Sequence, residues 1–420
     1  MSESDCDMTG SVFILSGVKG DTRRYRAFHL CQQLQYAGVD SVATHLWQLR
    51  SLDALLDASV VVLQRVAYDP WVEKILARCR AQKIPVLYDT DDLTFLPEVL
   101  SWIDSDDFDD PLRVALYRDE MQRQQQVLRS CDGVLVSTEF LAEKVRALGK
   151  PTWVHRNAAS FQMVRLSEQA RQERRLQEGR LILGYASGTP THQKDFALAA
   201  PALIEFLRRN HRAELWVIGY LNLGPEWLEF AERVRKFDPV PWRQLPFWLA
   251  QLDVNLAPLR FDNPFSQSKS EIKYMEAALV GVPTIASPTA AFQYAIRSSE
   301  NGYLATSKED WLTALDCLSV EQNRYRVAQM ALQDVANRYE PQVRAKEAIG
   351  VFNQVCDLGK AGFVRQNSSV RWDWAEALEA HPSLFERAMY VLRWGGIKIL
   401  FLQMRVYVWR LLKRWWRGKR

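Results

Sequence analysis

Short apolar runs recur through the first half of the chain at residues 11–16, 58–64, 84–88, 132–137 and 152–155, among them SVFILS, ASVVVLQ and DGVLVS. Longer polar stretches with helical spacing lie between them, notably 23–37 and 111–130. Runs that are apolar at consecutive positions, rather than alternately, read as strands buried on both faces. Their alternation with helices predicts a parallel sheet covered on both sides. The polar stretch SEQARQERRLQEGR (167–180) then marks a boundary. The pattern restarts at 181–187 (LILGYAS), 214–219 (ELWVIG), 252–259 (LDVNLAPL) and 282–287 (VPTIAS), again with helices between. Two consecutive doubly wound α/β domains joined by one linker are the simplest reading. In such sheets ligands bind beyond the carboxyl ends of the strands.

Two places at strand and helix ends carry candidate chemistry. In SKSEIKYMEAALVGVPTIAS (268–287), Lys269, Lys273 and Glu276 fall within a narrow arc of a predicted helix, while Ile272, Met275 and Leu279 fill the neighbouring, core-facing arc. Lys269, beside Ser268 and Ser270, can add a point charge where a diphosphate would sit. Glu276 can accept two hydrogen bonds from vicinal hydroxyls. A solvated Lys–Glu face is the plain reading of the same spacing. The strand at 181–187 runs into Ser187, Gly188, Thr189, Pro190, Thr191 and His192, with a helix following from about Asp195. Backbone N–H groups and a helix dipole at such a turn form an anion site, or else an ordinary N-cap. Neither GxGxxG nor the Walker spacing occurs, which argues against a dinucleotide dehydrogenase and a P-loop NTPase.

Composition narrows the class. At 420 residues, 48% hydrophobic and 25% charged, the chain reads as a soluble globular protein of two domains with an appendage. Six scattered cysteines without a CxxC pair favour free thiols in a reducing compartment. The polar start MSESDCDMTG is no secretory signal, and no uncharged apolar run reaches the roughly 20 residues that span a bilayer. A cytoplasmic location is expected. Charge is unevenly placed: residues 387–420 hold ten Lys/Arg and no acid, whereas the preceding 386 residues hold 44 basic and 50 acidic side chains, a net of −6.

Four segments occur in order: SGTPTHQKDF (187–196), the DVNLAPL strand, KSEIKYMEAALVGVPTIAS and ENGYLA (300–305). Together they resemble the donor domain of retaining GT-B glycosyltransferases of the bacterial group 1, or family 4, class. RYRAFHLCQQLQYAG (24–38), VLYDTDDLTF (86–95) and CDGVLVSTEFLAEKV (131–145) resemble its acceptor domain, so the likeness spans roughly 11–355. It implies two Rossmann-like domains facing a cleft: 1–176 for the acceptor, 177–355 for the nucleotide-sugar donor, and 356–420 as a helical tail. It also implies that Glu276, matching the second glutamate of the family's E-x7-E motif, holds the nucleotide ribose, and that Lys269 neutralises the diphosphate. Ser187, Gly188, Thr189, His192, Ser270 and Lys273 complete the donor set. The chain departs from the motif at Ser268, where the family carries its first glutamate, and no first glutamate is assigned.

Asp89-Thr90-Asp91-Asp92 ends a strand of the first domain. A DxD of this kind clamps a metal in GT-A transferases, but here the diphosphate residues lie in the other domain. Acceptor positioning or polarisation is the preferred role for Asp89, Asp91 and Asp92, with N-capping by Asp91 or Asp92 as the plain one. No metal or cofactor is assigned. Arg23, Arg24 and Arg26 follow the loop at Gly20, and Gly20, Arg23 and Arg26 are taken as acceptor or phosphate contacts; a solvated helix start explains them as well. Asn157 in VHRNAAS resembles the family's turn near the interdomain crossing.

In the tail, Leu400, Met404, Tyr407, Val408, Leu411 and Trp415 share one helical face. Arg405, Arg410, Lys413, Arg414 and Arg417 lie largely off it, and Trp394, Trp409 and Trp416 add aromatic anchors. This describes a helix lying on an anionic membrane surface. Nucleic-acid binding is the rival, which the unbroken apolar face disfavours, and packing on the protein's own body is compatible with either. The reading is therefore a peripheral, cytoplasmic-face glycosyltransferase acting on a glycan or lipid-linked acceptor with retention, in bacterial surface polysaccharide synthesis. A GT-A-like metal-dependent transferase using Asp89 and Asp91, or a non-catalytic nucleotide-sugar-binding scaffold, stands as the alternative.

Overall fold

The computed structural model describes residues 11–359, apart from 104–107, 109, 175–178 and 190–191, and part of a helical segment between 385 and 408. Two six-stranded sheets organise it. The first contains β1 (Ser11–Ser16), β2 (Asp40–His45), β3 (Ala58–Gln64), β4 (Val86–Thr90), β5 (Gly133–Val136) and β6 (Thr152–Val154), in the order β2-β1-β3-β4-β5-β6. The second contains β7 (Leu181–Ser187), β8 (Ala213–Gly219), β9 (Val234–Phe237), β10 (Val254–Ala257), β11 (Thr284–Ala286) and β12 (Tyr303–Leu304), in the order β12-β11-β10-β7-β8-β9. Every pairing is parallel. Strand order reverses between β1 and β3 in one sheet and between β7 and β10 in the other, and each reversal opens a crevice at the carboxyl ends.

Burial follows position in the sheet. β3 and β8 are buried along their whole length, as their continuous apolar runs predict. Three strands lack such runs: β2, β9 and β12. All three are sheet edges. β2 alternates exposed or half-buried with buried residues, and β9 is the charged VRKF, because an edge strand needs no apolar residue on its open side.

The chain crosses between the sheets earlier than the polar stretch at 167–180 suggests. After β6, residues 155–160 lead into the helix Phe161–Gln172, whose Met163 and Ala170 pack among side chains of the second sheet. Arg171 donates to the Leu279 carbonyl, and Arg174 donates to the Leu252 carbonyl at 2.9 Å. The segment is charged because its outer face is wet, and its few apolar residues share the inner one. The last long helix, Pro341–Gly359, returns to the first sheet: Ala348, Phe352, Val355 and Cys356 pack with Val12, Ile14, Val60 and Val62 of β1 and β3. A division that assigns everything from 177 to 355 to the second unit misses this return.

Where the tail is described, it is helical, and Tyr390 joins it to the body. Tyr390 Oη donates to Asp69 Oδ2 at 2.7 Å, while Asp69 Oδ1 caps the helix Pro70–Gln82. Phe385, Met389, Leu392, Ile397, Phe401, Met404, Tyr407 and Val408 are exposed. Of the apolar face read from the sequence, Leu400 is half-buried. Leu411 and Trp415 lie outside the described residues, as do Trp394, Trp409, Arg410, Lys413, Arg414, Trp416 and Arg417.

Because Phe352 fills the core between the returning helix and β1, Phe352→Ala should destabilise the protein by about 3–5 kcal/mol. Urea denaturation followed by circular dichroism measures this, and a loss below about 1 kcal/mol would mean that the helix is not part of the first core.

Candidate functional site

The first sheet presents its site residues at the ends of β1 and β4. The helix Asp21–Arg23 begins at Gly20, whose φ is +70°, and continues through the π-helical turn Arg24–Phe28 into His29–Tyr36. A π turn shifts the residues after it around the axis, and three successive side chains, Arg24, Tyr25 and Arg26, are all buried. Arg26 turns inward. Its Nε and Nη2 take both oxygens of Asp89 at 3.1 and 2.6 Å, and its Nη1 donates to the His155 carbonyl at 2.5 Å and to Asn157 Oδ1 at 3.2 Å.

Arg26 and Asp89 are 1% and 0% exposed, so neither faces a ligand. Arg26, expected as an acceptor or phosphate contact, and Asp89, a candidate for acceptor positioning or polarisation, instead bond to each other. Burial pushes the Asp89 carboxyl up to about 6, against the pull of Arg26. Arg23 is also buried, with its guanidinium 5.2 Å from the Phe28 ring centroid. Asp91 pairs with Arg65 at 3.4 Å. No group of three His, Cys, Asp or Glu side chains that could hold a metal ion occurs among the described residues.

The second sheet contributes β7 and the segment around residue 270. The run expected as one helix from 268 is broken into a short helix Pro264–Gln267, a turn, and the helix Ile272–Leu279. That helix ends in a Schellman motif: Gly281 N–H donates to the Ala278 carbonyl and Val282 N–H to that of Ala277, both at 2.9 Å. Gly281 has φ +71°, which only glycine adopts without strain. Lys269 therefore sits in the turn, off the face shared by Lys273 and Glu276. Its Nζ donates to Asp92 Oδ2 across the crevice at 2.7 Å and lies 3.8 Å from the Phe265 ring centroid. Lys269 is thus paired with Asp92 in this structure, whereas the resemblance implied a diphosphate as its partner.

Lys273 is a cation without such a partner. Its Nζ is buried, 4.4 Å from the Tyr185 ring centroid, and has no hydrogen-bond partner. Burial pulls its ammonium down to about 8, although Asp195 and Glu276 oppose the shift. Glu276 accepts from Tyr25 Oη at 2.6 Å and lies 3.9 Å from Arg24 Nη2. Burial raises the Glu276 carboxyl above its ordinary value, with Arg24 and Tyr25 pulling the other way.

At the end of β7, Ser187 Oγ donates to the Thr189 carbonyl at 2.9 Å, tightening the turn through Gly188. His192 Nδ1 lies 2.8 Å from Asp195 Oδ2, while Asp195 Oδ1 accepts from Arg260 N–H and Ser266 Oγ at 2.8 and 3.3 Å. Burial lowers the His192 pKa, so the ring is neutral at pH 7, and its bond to Asp195 assigns the proton to Nδ1. Nε2 then presents a lone pair and becomes a donor only on protonation. Ser270 is engaged at the crossing, accepting from Asn157 Nδ2 at 2.9 Å.

The crevice thus gathers Lys273, Glu276 and His192 from the second sheet and Asp92, Arg24 and Tyr25 from the first. Tyr25, next to the arginines singled out in the sequence, had no signal of its own: nothing local to RYR reveals a hydroxyl that reaches Glu276.

Comparison with known proteins places this geometry. Residues 180–319 match the family model described as Glycosyl transferases group 1. Anabaena Alr3699/HepE, solved in complex with UDP, superposes with a TM-score of 0.55 at 13% identity over 82% of this chain and 100% of its own. Sucrose-phosphate synthase of Thermosynechococcus elongatus gives 0.55 at 14%, over 83% and 100%. A glycosyltransferase of Rickettsia africae gives 0.53 at 10%, over 83% and 98%. The fold is GT-B. No curated protein sequence matches the chain. The matched residues 180–319 contain β7 and the helix Ile272–Leu279.

The buried ammonium of Lys273 has a consequence for stability. The unfolded chain keeps that proton to about pH 10.5, whereas the folded one keeps it only to about 8. The charge therefore lowers stability in full below pH 8, and stability should recover as pH rises from there towards 10.5. Lys273→Met should raise the melting temperature at pH 7. Differential scanning fluorimetry reads the effect, and a variant that loses stability would contradict the reading of Lys273 as an uncompensated charge.

Proposed function

We propose that the protein is a retaining glycosyltransferase that moves a sugar from a nucleotide-diphosphate donor to a glycan or lipid-linked acceptor in surface polysaccharide synthesis. The observation that carries this reading is Lys273: a buried cation without a hydrogen-bond partner, beside Glu276 and near the turn at the end of β7. Leaving such a charge uncompensated is unfavourable unless an anion arrives. The start of the helix Gln193–Arg209, where His192 and Asp195 interact electrostatically with Lys273, offers backbone N–H groups to that anion. Glu276 would then exchange its bond from Tyr25 for the hydroxyls of the ribose.

Chemistry follows from these placements. Departure of the nucleoside diphosphate leaves negative charge on its terminal phosphate, which Lys273 and the helix N-terminus stabilise. Asp89 is taken by Arg26 and Asp92 by Lys269, so these two carboxylates are not free to act as acid and base. The donor's own phosphate oxygen accepts the proton of the attacking hydroxyl on the face that the leaving group vacates, and the configuration is retained. His192, neutral and anchored to Asp195, faces the same turn. The metal-dependent alternative requires Asp89 to give up both bonds to Arg26.

A thermal-shift panel of nucleotide sugars identifies the donor, and the anomeric coupling constant of the product reads the stereochemistry. Glu276→Ala should lower transfer at least ~10-fold, the worth of a charge-assisted hydrogen bond, and should leave the protein folded because the apolar face of its helix is untouched. Wild-type turnover by the folded variant would remove Glu276 from the donor site.

The tail supports action at the inner face of the plasma membrane. Most of its described apolar side chains, among them Phe401, Met404, Tyr407 and Val408, are exposed, it meets the body through Tyr390, and the segment 387–420 carries only basic charge. No helix among the described residues is long and apolar enough to cross a membrane. Each Lys/Arg near an anionic leaflet contributes about 1 kcal/mol. Truncation after residue 380 should therefore abolish flotation with anionic liposomes while leaving the helix Pro341–Gly359, and so the fold, intact. Turnover on a lipid-linked acceptor should fall, and turnover on a soluble analogue should not. A full-length protein that ignores anionic liposomes would assign the tail to the protein's own surface.

A further inference from the structure

Residue 268, eight positions before Glu276, is a serine where the family resembled in the sequence carries a glutamate. A carboxylate reaches that place from the opposite sheet. Asp92, on the loop after β4, accepts from Ser268 Oγ through Oδ1 at 3.1 Å and from Lys269 Nζ through Oδ2 at 2.7 Å. Its Oδ1 also accepts from Leu93 N–H at 3.0 Å. A carboxylate oxygen has two acceptor positions. Oδ1 is therefore filled, whereas Oδ2 keeps one, on a side chain that is 12% exposed. Lys269 and then Arg65 hold the carboxyl below its ordinary value against the effect of burial, so it is ionised at neutral pH and acts only as an acceptor.

We infer that Asp92 holds a hydroxyl of the donor sugar, supplying from the first sheet the carboxylate that position 268 lacks. Ser268, fully buried, and Lys269 are positioning residues that aim it. The inference rests on the donor reading above and adds a consequence to it. Lys273 and Glu276 belong to the second sheet alone, but the sugar's acceptor belongs to the first. The nucleoside diphosphate can therefore bind one half of the protein, whereas the sugar is gripped only when the halves meet. Recognition of the sugar and closure of the crevice become one event.

Calorimetry with UDP-glucose, UDP-N-acetylglucosamine and GDP-mannose, each compared with its parent UDP or GDP, separates the two contributions. Asp92→Asn should weaken binding of the sugar-bearing ligand on the order of 10-fold, and that of the parent diphosphate by less than about 2-fold. Ser268→Glu in the Asp92→Asn background should restore the difference, because the carboxylate returns beside Lys269. Equal losses on both ligands, or no loss on the sugar-bearing one, would overturn the inference and leave Asp92 as a brace between the sheets. Should Asp92→Asn fail to melt cooperatively, Ser268→Ala, which keeps the carboxylate and its lysine, should give a smaller loss confined to the sugar-bearing ligand; no loss there overturns the inference equally. A wild-type protein that binds none of these ligands overturns the donor reading itself.

Discussion

Arg26 and Asp89 meet in a bidentate ion pair at almost complete burial, and the arrangement of the crevice depends on it. Bringing two charges out of water is unfavourable, and breaking such a pair by removing one partner typically costs 3–5 kcal/mol. This pair is completed by the His155 carbonyl and Asn157, so Arg26 ties three segments together: the helix after β1, the end of β4 and the crossing between the sheets. Everything that later faces the crevice hangs from those segments. Tyr25 and Arg24 reach Glu276 because the next residue is anchored, and Asp91 and Asp92 project from β4 because Asp89 cannot move.

The remaining charges divide into compensated and uncompensated groups. Asp92 with Lys269, Asp91 with Arg65 and Glu271 with Arg156 are paired in the structure. Lys273 is not, and His192 is held neutral by burial beside Asp195. A fold that tolerates one buried lysine without a partner sacrifices stability at that point, which is how binding sites for anions differ from structural salt bridges. Contacts across the crevice are both polar and apolar: Tyr25 bonds to Glu276, Asn157 to Ser270 and Asn263 to the Trp102 carbonyl, while Tyr25 also packs among side chains of the second sheet and Phe265 packs against the first core.

Legibility in the sequence followed burial. β3 and β8, enclosed on both faces, are continuous apolar runs and were plain; the edge strands β2, β9 and β12 were not, since half their surface has no core to satisfy. The Ile272–Leu279 helix and the glycine that ends it were readable from spacing, but the break before it was not, and the break moves Lys269 off the helix face. The triplet of arginines after β1 looked like one basic patch. A single π turn separates them into a buried clamp at Arg26 and a side chain at Arg24 that approaches Glu276.

The sequence by itself determined the class of the protein. Periodicity specified two parallel sheets, because hydrophobic pattern acts locally, and the ordered motifs around Ser187, Lys269 to Ser287 and Glu300 resemble a nucleotide-sugar donor domain. Only the tertiary structure decided which charges are free. Asp89 and Asp92, or Lys269 and Lys273, are indistinguishable as letters. Their roles separate because Arg26 lies 63 residues from Asp89, and Asp92 lies 177 residues from Lys269. Whether a charge is neutralised is settled by such distant partners and by desolvation, and neither leaves a trace in local spacing.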